Sequence, residues 1–89
     1  MRTIWKYALQ VADLQTIAMP QGAQVLCVQT QSGIPQLWAL VDPGAPMKER
    51  AFVTYGTGQE MPDCPDVYIG TYQIRGGALV FHVFEKRAA

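Results

Sequence analysis

The sequence predicts an all-β domain: a small antiparallel β-sandwich or barrel-like fold of six to seven short strands. Three observations point there. Apolar residues come in short runs that alternate or are continuous, and no segment carries an amphipathic helical stripe of useful length. Turn residues separate the runs at regular spacing, as in sandwiches and small barrels. Two of these separators, Ser32-Gly33 and Arg75-Gly76-Gly77, are hairpin signals.

The elements follow in order. Thr3 to Leu9 alternates, with Trp5, Tyr7 and Leu9 on one face and Lys6 on the other. Gln15 to Met19 is a shorter strand closed by Pro20 and Gly22. Ala23 to Thr30 and Ile34 to Asp42 flank Ser32-Gly33, and Pro35, which has no N–H for a ladder, places the start of the second run at an edge or bulge. Leu37, Ala39 and Val41 oppose Trp38 and Leu40, so both faces of this hairpin are apolar and need cover, from the fold or a partner. Trp38 is expected in the core. DPGAPMKER reads as a connector, Ala51 to Tyr55 as a strand ending in Gly56-Thr57-Gly58, and Gln59 to Asp66 as a surface loop. Strands at Tyr68 to Ile74 and Ala78 to Glu85 complete a single domain over residues 1–89.

Composition narrows the functional classes. The chain is 49% apolar and 16% charged, against about 25% charged in an average protein. A small domain is mostly surface, so this shortfall predicts a homo-oligomer, a dimer or tetramer, that covers apolar area. Seven Lys and Arg balance seven Asp and Glu, with the cations scattered at Arg2, Lys6, Lys48, Arg50, Arg75, Lys86 and Arg87. A nucleic-acid polymer needs a dense cationic face and is not the expected partner. A small anionic ligand needs only one or two cations and some backbone N–H groups.

Cys27 reads as a buried thiol and Cys64 as a loop residue, without the spacing of a disulfide framework. No apolar segment suits a signal peptide or a membrane span of roughly 20 residues, so the cytoplasm is the expected location.

No enzyme is expected. The single histidine, His82, lies in VFHVF without a partner identifiable by spacing, and reads as a hydrogen-bonded strand residue. Asp63, Cys64 and Asp66 match no metal-site spacing, and no cofactor or metal is expected. Gly56, Thr57 and Gly58 lack a P-loop lysine, but their backbone could approach an anion closely. Arg75, Gly76 and Gly77 could do the same, Arg75 offering a planar fork suited to phosphate. The alternative is that one triplet ends a strand and the other turns a hairpin. Trp5, Tyr7 and Tyr55 could stack on a base, with Lys6 near a phosphate, although Trp5 and Tyr7 equally suit a core or an interface.

The series IWKYALQ, MPQGAQVLCVQ, LWALVDPGAP, YGTGQEMP, YIGTYQ and GGALVFHVFE resembles a family of small phage- and prophage-encoded proteins carrying a domain of unknown function, over Ile4 to Glu85. The resemblance implies a viral or prophage protein acting in the host bacterial cytoplasm. It transfers no catalytic residue. By analogy with small phage proteins that oppose host defences, the expected function is non-catalytic sequestration of a nucleotide immune signal, a cyclic di- or oligonucleotide. The rival expectations are an inhibitor that docks on a host or defence protein, and a small virion accessory protein.

Overall fold

The computed structural model describes residues 1–63 and 66–87. Seven strands form: β1 (Thr3–Ala8), β2 (Leu14–Pro20), β3 (Gln24–Gln31), β4 (Ile34–Val41), β5 (Met47–Gly56), β6 (Val67–Ile74) and β7 (Leu79–Glu85). A three-stranded sheet has the order β1-β4-β3 and a four-stranded sheet the order β2-β5-β7-β6, every pairing antiparallel. The expected all-β class and strand number hold. The domain measures 39 × 33 × 16 Å, and its thin dimension suits two layers spaced about 10 Å apart.

Alternation settles which residues pack between the layers. From the three-stranded sheet come Val28, Leu37, Ala39 and Val41; from the four-stranded sheet come Met19, Phe52, Tyr72 and Val83. Leu9 and Ala23 complete the core from just outside the strands. Both hairpin signals hold. Ser32 and Gly33 have φ of 53° and 79°, the positive pair a primed two-residue turn requires. Arg75–Gly77 forms a 3₁₀ turn in which Ala78 N–H donates to the Arg75 carbonyl.

Three expectations need correction. Trp38 is half-buried on the outer face of β4, because its neighbours Leu37 and Ala39 already point inward and adjacent strand residues face opposite ways. Pro35 is not on an edge strand: β4 is the centre of its sheet. Its missing N–H is tolerated near the strand's start, where β1 pairing has ended at Ala8↔Gln36 and the Pro35 carbonyl accepts from Leu9 N–H. The bulge lies instead on β3, at Leu26. Finally, Met47–Arg50 is not connector but the first part of a ten-residue β5, paired with β2 from Pro20↔Met47 to Leu14↔Val53. Its charged residues disguise it as a loop. The Cys64 reading falls outside the described residues.

The two sheets approach most closely between β3 and β6, where a Cβ on Gly70 would lie 3.3 Å from Val28 Cβ and 3.4 Å from its backbone N. A second bulge, at Ile69, precedes this contact and separates Tyr68 from Tyr72 in orientation. Tyr72 is buried in the core and Tyr68 is exposed.

The Tyr72 hydroxyl is buried without a partner, and so is that of half-buried Tyr7. Tyr72→Phe is therefore expected to raise stability by about 1 kcal/mol in urea unfolding, since an unpaired buried hydroxyl costs on that order. Burial raises both phenols above their ordinary value of 10.0, Arg50 partly opposing this at Tyr7. The folded state thus holds these protons more tightly than the unfolded chain does. Stability from this source is complete below pH 10 and declines as pH rises through the unfolded value toward the folded one. The Tyr7→Phe, Tyr72→Phe double variant should show a shallower alkaline decline in melting temperature; an identical decline refutes this origin.

Candidate functional site: a cationic notch

β5 is longer than its partner. Its last pair with β7 is Phe52↔Glu85, and beyond it only Lys86 N–H reaches across, to the Ala51 carbonyl at 2.9 Å. On that side Met47–Arg50 is an open sheet edge, while β2 stays paired along the other. The β2–β3 turn, Gln21 to Ala23, forms one wall of the resulting notch, and Lys86 and Arg87 form another. The notch encloses about 510 Å³, within the range of small-molecule sites.

Arg50 is the notch's fixed point. Its Nε donates to Glu85 Oε2 at 2.6 Å and its Nη2 to Glu85 Oε1 at 2.8 Å, while Nη1 donates to the Ala23 carbonyl. The side chains of Arg50 and Glu85 are only 20% and 18% exposed, so this bidentate pair is held in place far better than a surface pair. Hydrogen bonding to Glu85 raises the guanidinium above its ordinary value, against the opposing effect of burial. Across the wall, the pair locks the end of β7 to β5 and to the β2–β3 turn.

Lys48, Arg50, Lys86 and Arg87 line the notch with Glu49 and Glu85. Four cations against two acids leave a local charge of +2, and Arg50 with Glu85 cancel within it. Lys48, Lys86 and Arg87 are exposed, and none of them is in an ion pair among the described residues. The chain that looked evenly sprinkled with cations gathers four of its seven here. An open sheet edge with exposed cations around it is suited to an anion. No aromatic side chain lines this notch.

The residues singled out by the sequence are not brought to one place. Trp5, Lys6 and Tyr7 lie on β1, with Lys6 Nζ donating to Gln31 Oε1 at 2.7 Å on the outer face of the three-stranded sheet. Trp5 is at the exposed edge, and Tyr7 faces inward near Arg50. Gly56, Thr57 and Gly58 share one end of the four-stranded sheet with Arg75, Gly76 and Gly77, since Thr57 N–H bonds the Val80 carbonyl at 3.1 Å, just past the 3₁₀ turn. Gly56 N–H is already bonded to Gln59 Oε1 at 3.0 Å, and Gln59 N–H to the Gly56 carbonyl at 3.0 Å. The triplet closes a turn with two of its donors engaged, and Gly58 supplies the required positive φ of 87°. Arg75 precedes β7, whose six steps from Leu79 to Glu85 span roughly 20 Å, so it sits at the far end of that strand from the notch.

Tyr55 belongs to a different surface. On the outer face of the four-stranded sheet, Phe84 makes edge contacts with Tyr55 and Tyr68, ring centres 5.8 and 5.4 Å apart. Beside them runs a chain of polar groups: Tyr68 OH to Thr71 Oγ1 at 2.6 Å, Thr71 Oγ1 to His82 Nδ1 at 2.9 Å, and His82 Nε2 to Thr57 Oγ1 at 2.8 Å. His82 is a hydrogen-bonded strand residue, as its sequence context suggested. Among the described residues, no three His, Cys, Asp or Glu side chains could hold a metal ion together, and no helix is long and apolar enough to cross a membrane.

The fold and site define an all-β, two-sheet domain with a basic notch at an open strand edge. The chain belongs to the family of the Domain of unknown function (DUF7352), whose model matches residues 1–89. No curated protein and no solved structure matches it.

Proposed function

We propose that this protein works without catalysis, by holding a small phosphorylated ligand in the cationic notch. The finer reading is that the ligand is a nucleotide signal, a cyclic di- or oligonucleotide, which a phage would sequester in the host cytoplasm to blunt an immune response. The single observation that supports this best is the convergence of Lys48, Lys86 and Arg87 around an already anchored Arg50. A sponge needs affinity and no reacting group, and free cations at a half-enclosed edge supply affinity for phosphate.

A homo-oligomer is part of the proposal. The outer face of the three-stranded sheet presents Ile4 and Leu26, both exposed, around half-buried Trp38 and Cys27, in a groove of about 300 Å³. The same face favours the second reading, an inhibitor that docks on a host or defence protein.

A thermal-shift panel of cyclic dinucleotides, cyclic oligonucleotides, mononucleotides and tripolyphosphate separates these readings. A ligand at 100 times its dissociation constant stabilises by about 2.7 kcal/mol, which for a domain this small raises the melting temperature by on the order of 10 °C or more. Absence of any shift across the panel, with co-purification of a host protein, would replace the sponge with the inhibitor. Recovery in purified particles would favour a virion accessory role.

A further inference from the structure

Each sheet has one edge strand that leans on the other sheet, β3 and β6, which meet where Gly70 faces Val28. The opposite edges, β1 and β2, have no strand beside them. The bonds that flank these two strands fix which way their main chains point. Leu9 N–H donates to the Pro35 carbonyl at 2.9 Å and continues the β1–β4 register, in which Tyr7 pairs with Leu37. Main-chain polar groups alternate sides along a strand. Those of Thr3, Trp5 and Tyr7 therefore point to β4, and those of Ile4, Lys6 and Ala8 point to the open side. On β2, Gln21 N–H donates to the Pro46 carbonyl at 2.8 Å. The same alternation turns Pro20 to the open side, where it has no N–H to give.

β1 has none of the features that keep natural edge strands unpaired. It is six residues long, pairs with β4 without a bulge, contains no proline and is exposed at every position but Tyr7. Its one charge, Lys6, is drawn away from the edge. Lys6 Nζ bonds Gln31 Oε1 of β3 at 2.7 Å, so the side chain lies back across β4. What remains at the edge is a regular row of free N–H and C=O groups flanked by Ile4, 56% exposed, and Trp5, 37% exposed.

We infer that a second copy of this chain covers this edge, β1 pairing antiparallel with β1 of the partner subunit about a two-fold axis at Trp5. The strand's own residues select that register. A two-fold axis normal to the sheet keeps inner faces together, so only residues of the same face oppose each other. Centring on Lys6 sets Lys6 against its own copy, and centring on Ile4 sets Arg2 against Lys6 of the partner subunit. Like charges directly opposed destabilise a pair. Centring nearer either end shortens the ladder. Centring on Trp5 avoids all three faults. Ile4 then exchanges hydrogen bonds with Lys6 of the partner subunit, and Lys6 with its Ile4, through groups that already point outward. Trp5 meets its own copy in the closer, non-hydrogen-bonded kind of pair, where aromatic rings gain most. Such pairing closes at two copies and joins two three-stranded sheets into one. It rests on the homo-oligomer reading above and leaves the notch, built by the four-stranded sheet and the β2–β3 turn, open to its ligand.

Size exclusion with light scattering, run on the whole protein over a range of concentrations, reads the dimer and its dissociation constant. The wild type is expected as a dimer. Lys6→Pro removes an N–H that faces the open side, so circular dichroism should show an intact fold. Its dimer dissociation constant should rise at least roughly fivefold, one ladder bond being lost from each copy. Lys6→Ala keeps the N–H, loses the Gln31 bond and should stay dimeric. Cross-linking gives a second answer that does not depend on the proline variant folding. In a Cys27→Ser, Cys64→Ser background, Trp5→Cys should form a covalent dimer with oxidised glutathione. A non-hydrogen-bonded pair sets Cα atoms about 4.5 Å apart, within disulfide reach. A folded Lys6→Pro that dimerises as the wild type does overturns the edge pairing. So does a covalent dimer from Leu26→Cys, on the outer face, with none from Trp5→Cys; in both cases the homo-oligomer stands. A wild type that is monomeric at every concentration overturns the edge pairing and the homo-oligomer together.

Discussion

Charge reversal at the notch, Lys48→Glu together with Lys86→Glu, is expected to lower affinity for tripolyphosphate and for phosphorylated ligands by at least 100-fold. Each charge-assisted hydrogen bond contributes about 1.5–3 kcal/mol, and two are removed while two repelling charges are added. Every 1.4 kcal/mol is tenfold, so 100-fold is a lower bound. Both side chains are exposed and unpaired among the described residues, and exposed substitutions of this kind usually change stability by no more than about 0.5 kcal/mol. The melting temperature should therefore stay within a few degrees. Unchanged affinity in a folded double variant would remove the notch from the binding site. Arg50→Ala is the wrong test: it strips Glu85 of its partner and frees the Ala23 carbonyl, so it would confound binding with folding.

Phe52→Ala should nearly unfold the domain. Phe52 has 0% exposure and is the largest wholly buried side chain, on the central part of β5 between Gln15 of β2 and Glu85 of β7. Truncating a buried Phe costs about 3–5 kcal/mol through lost contacts and the cavity left behind. An 89-residue chain has roughly 5–13 kcal/mol in total, so one substitution removes a large share. With about 4–8 °C per kcal/mol, the melting temperature should fall by more than 12 °C. A fall of only a few degrees would mean that the layers repack around the gap and that the core is less unified than its contacts indicate. Tyr68→Ala on the outer face of the same sheet should leave the melting temperature within a few degrees.

These two predictions concern the same strand, and β5 is where sequence reasoning was weakest. Its second half, Ala51 to Tyr55, was legible from its apolar run. Its first half was not, because Lys48-Glu49-Arg50 beside prolines looks like solvated connector. The strand there is held by β2 pairing and by the Arg50–Glu85 pair, partners 35 residues apart. A signal did exist: Lys48-Glu49-Arg50 and Glu85-Lys86-Arg87 are two charged triplets of matched composition. Only the register of β5 on β7 reveals that they face one another. The aromatic candidates fared unevenly for a related reason. Tyr55 lies on an open face beside His82, whereas Trp5 and Lys6 lie on the other sheet, separated from the glycine turns by topology that β1 alone does not encode.

What the residues determined unaided is local. Side chains alternate with a period of two, glycine permits positive φ, and a lone histidine among apolar neighbours must bond to something near it; these rules act over a few positions and yielded the strands, both hairpin turns and the all-β class. Tertiary structure decided which strands became neighbours, which of two apolar faces went inside, and which charges met. Those outcomes depend on pairing between distant segments and on how far each strand outruns the next. The basic notch exists because β5 continues after β7 has stopped, a mismatch of lengths that no single segment contains.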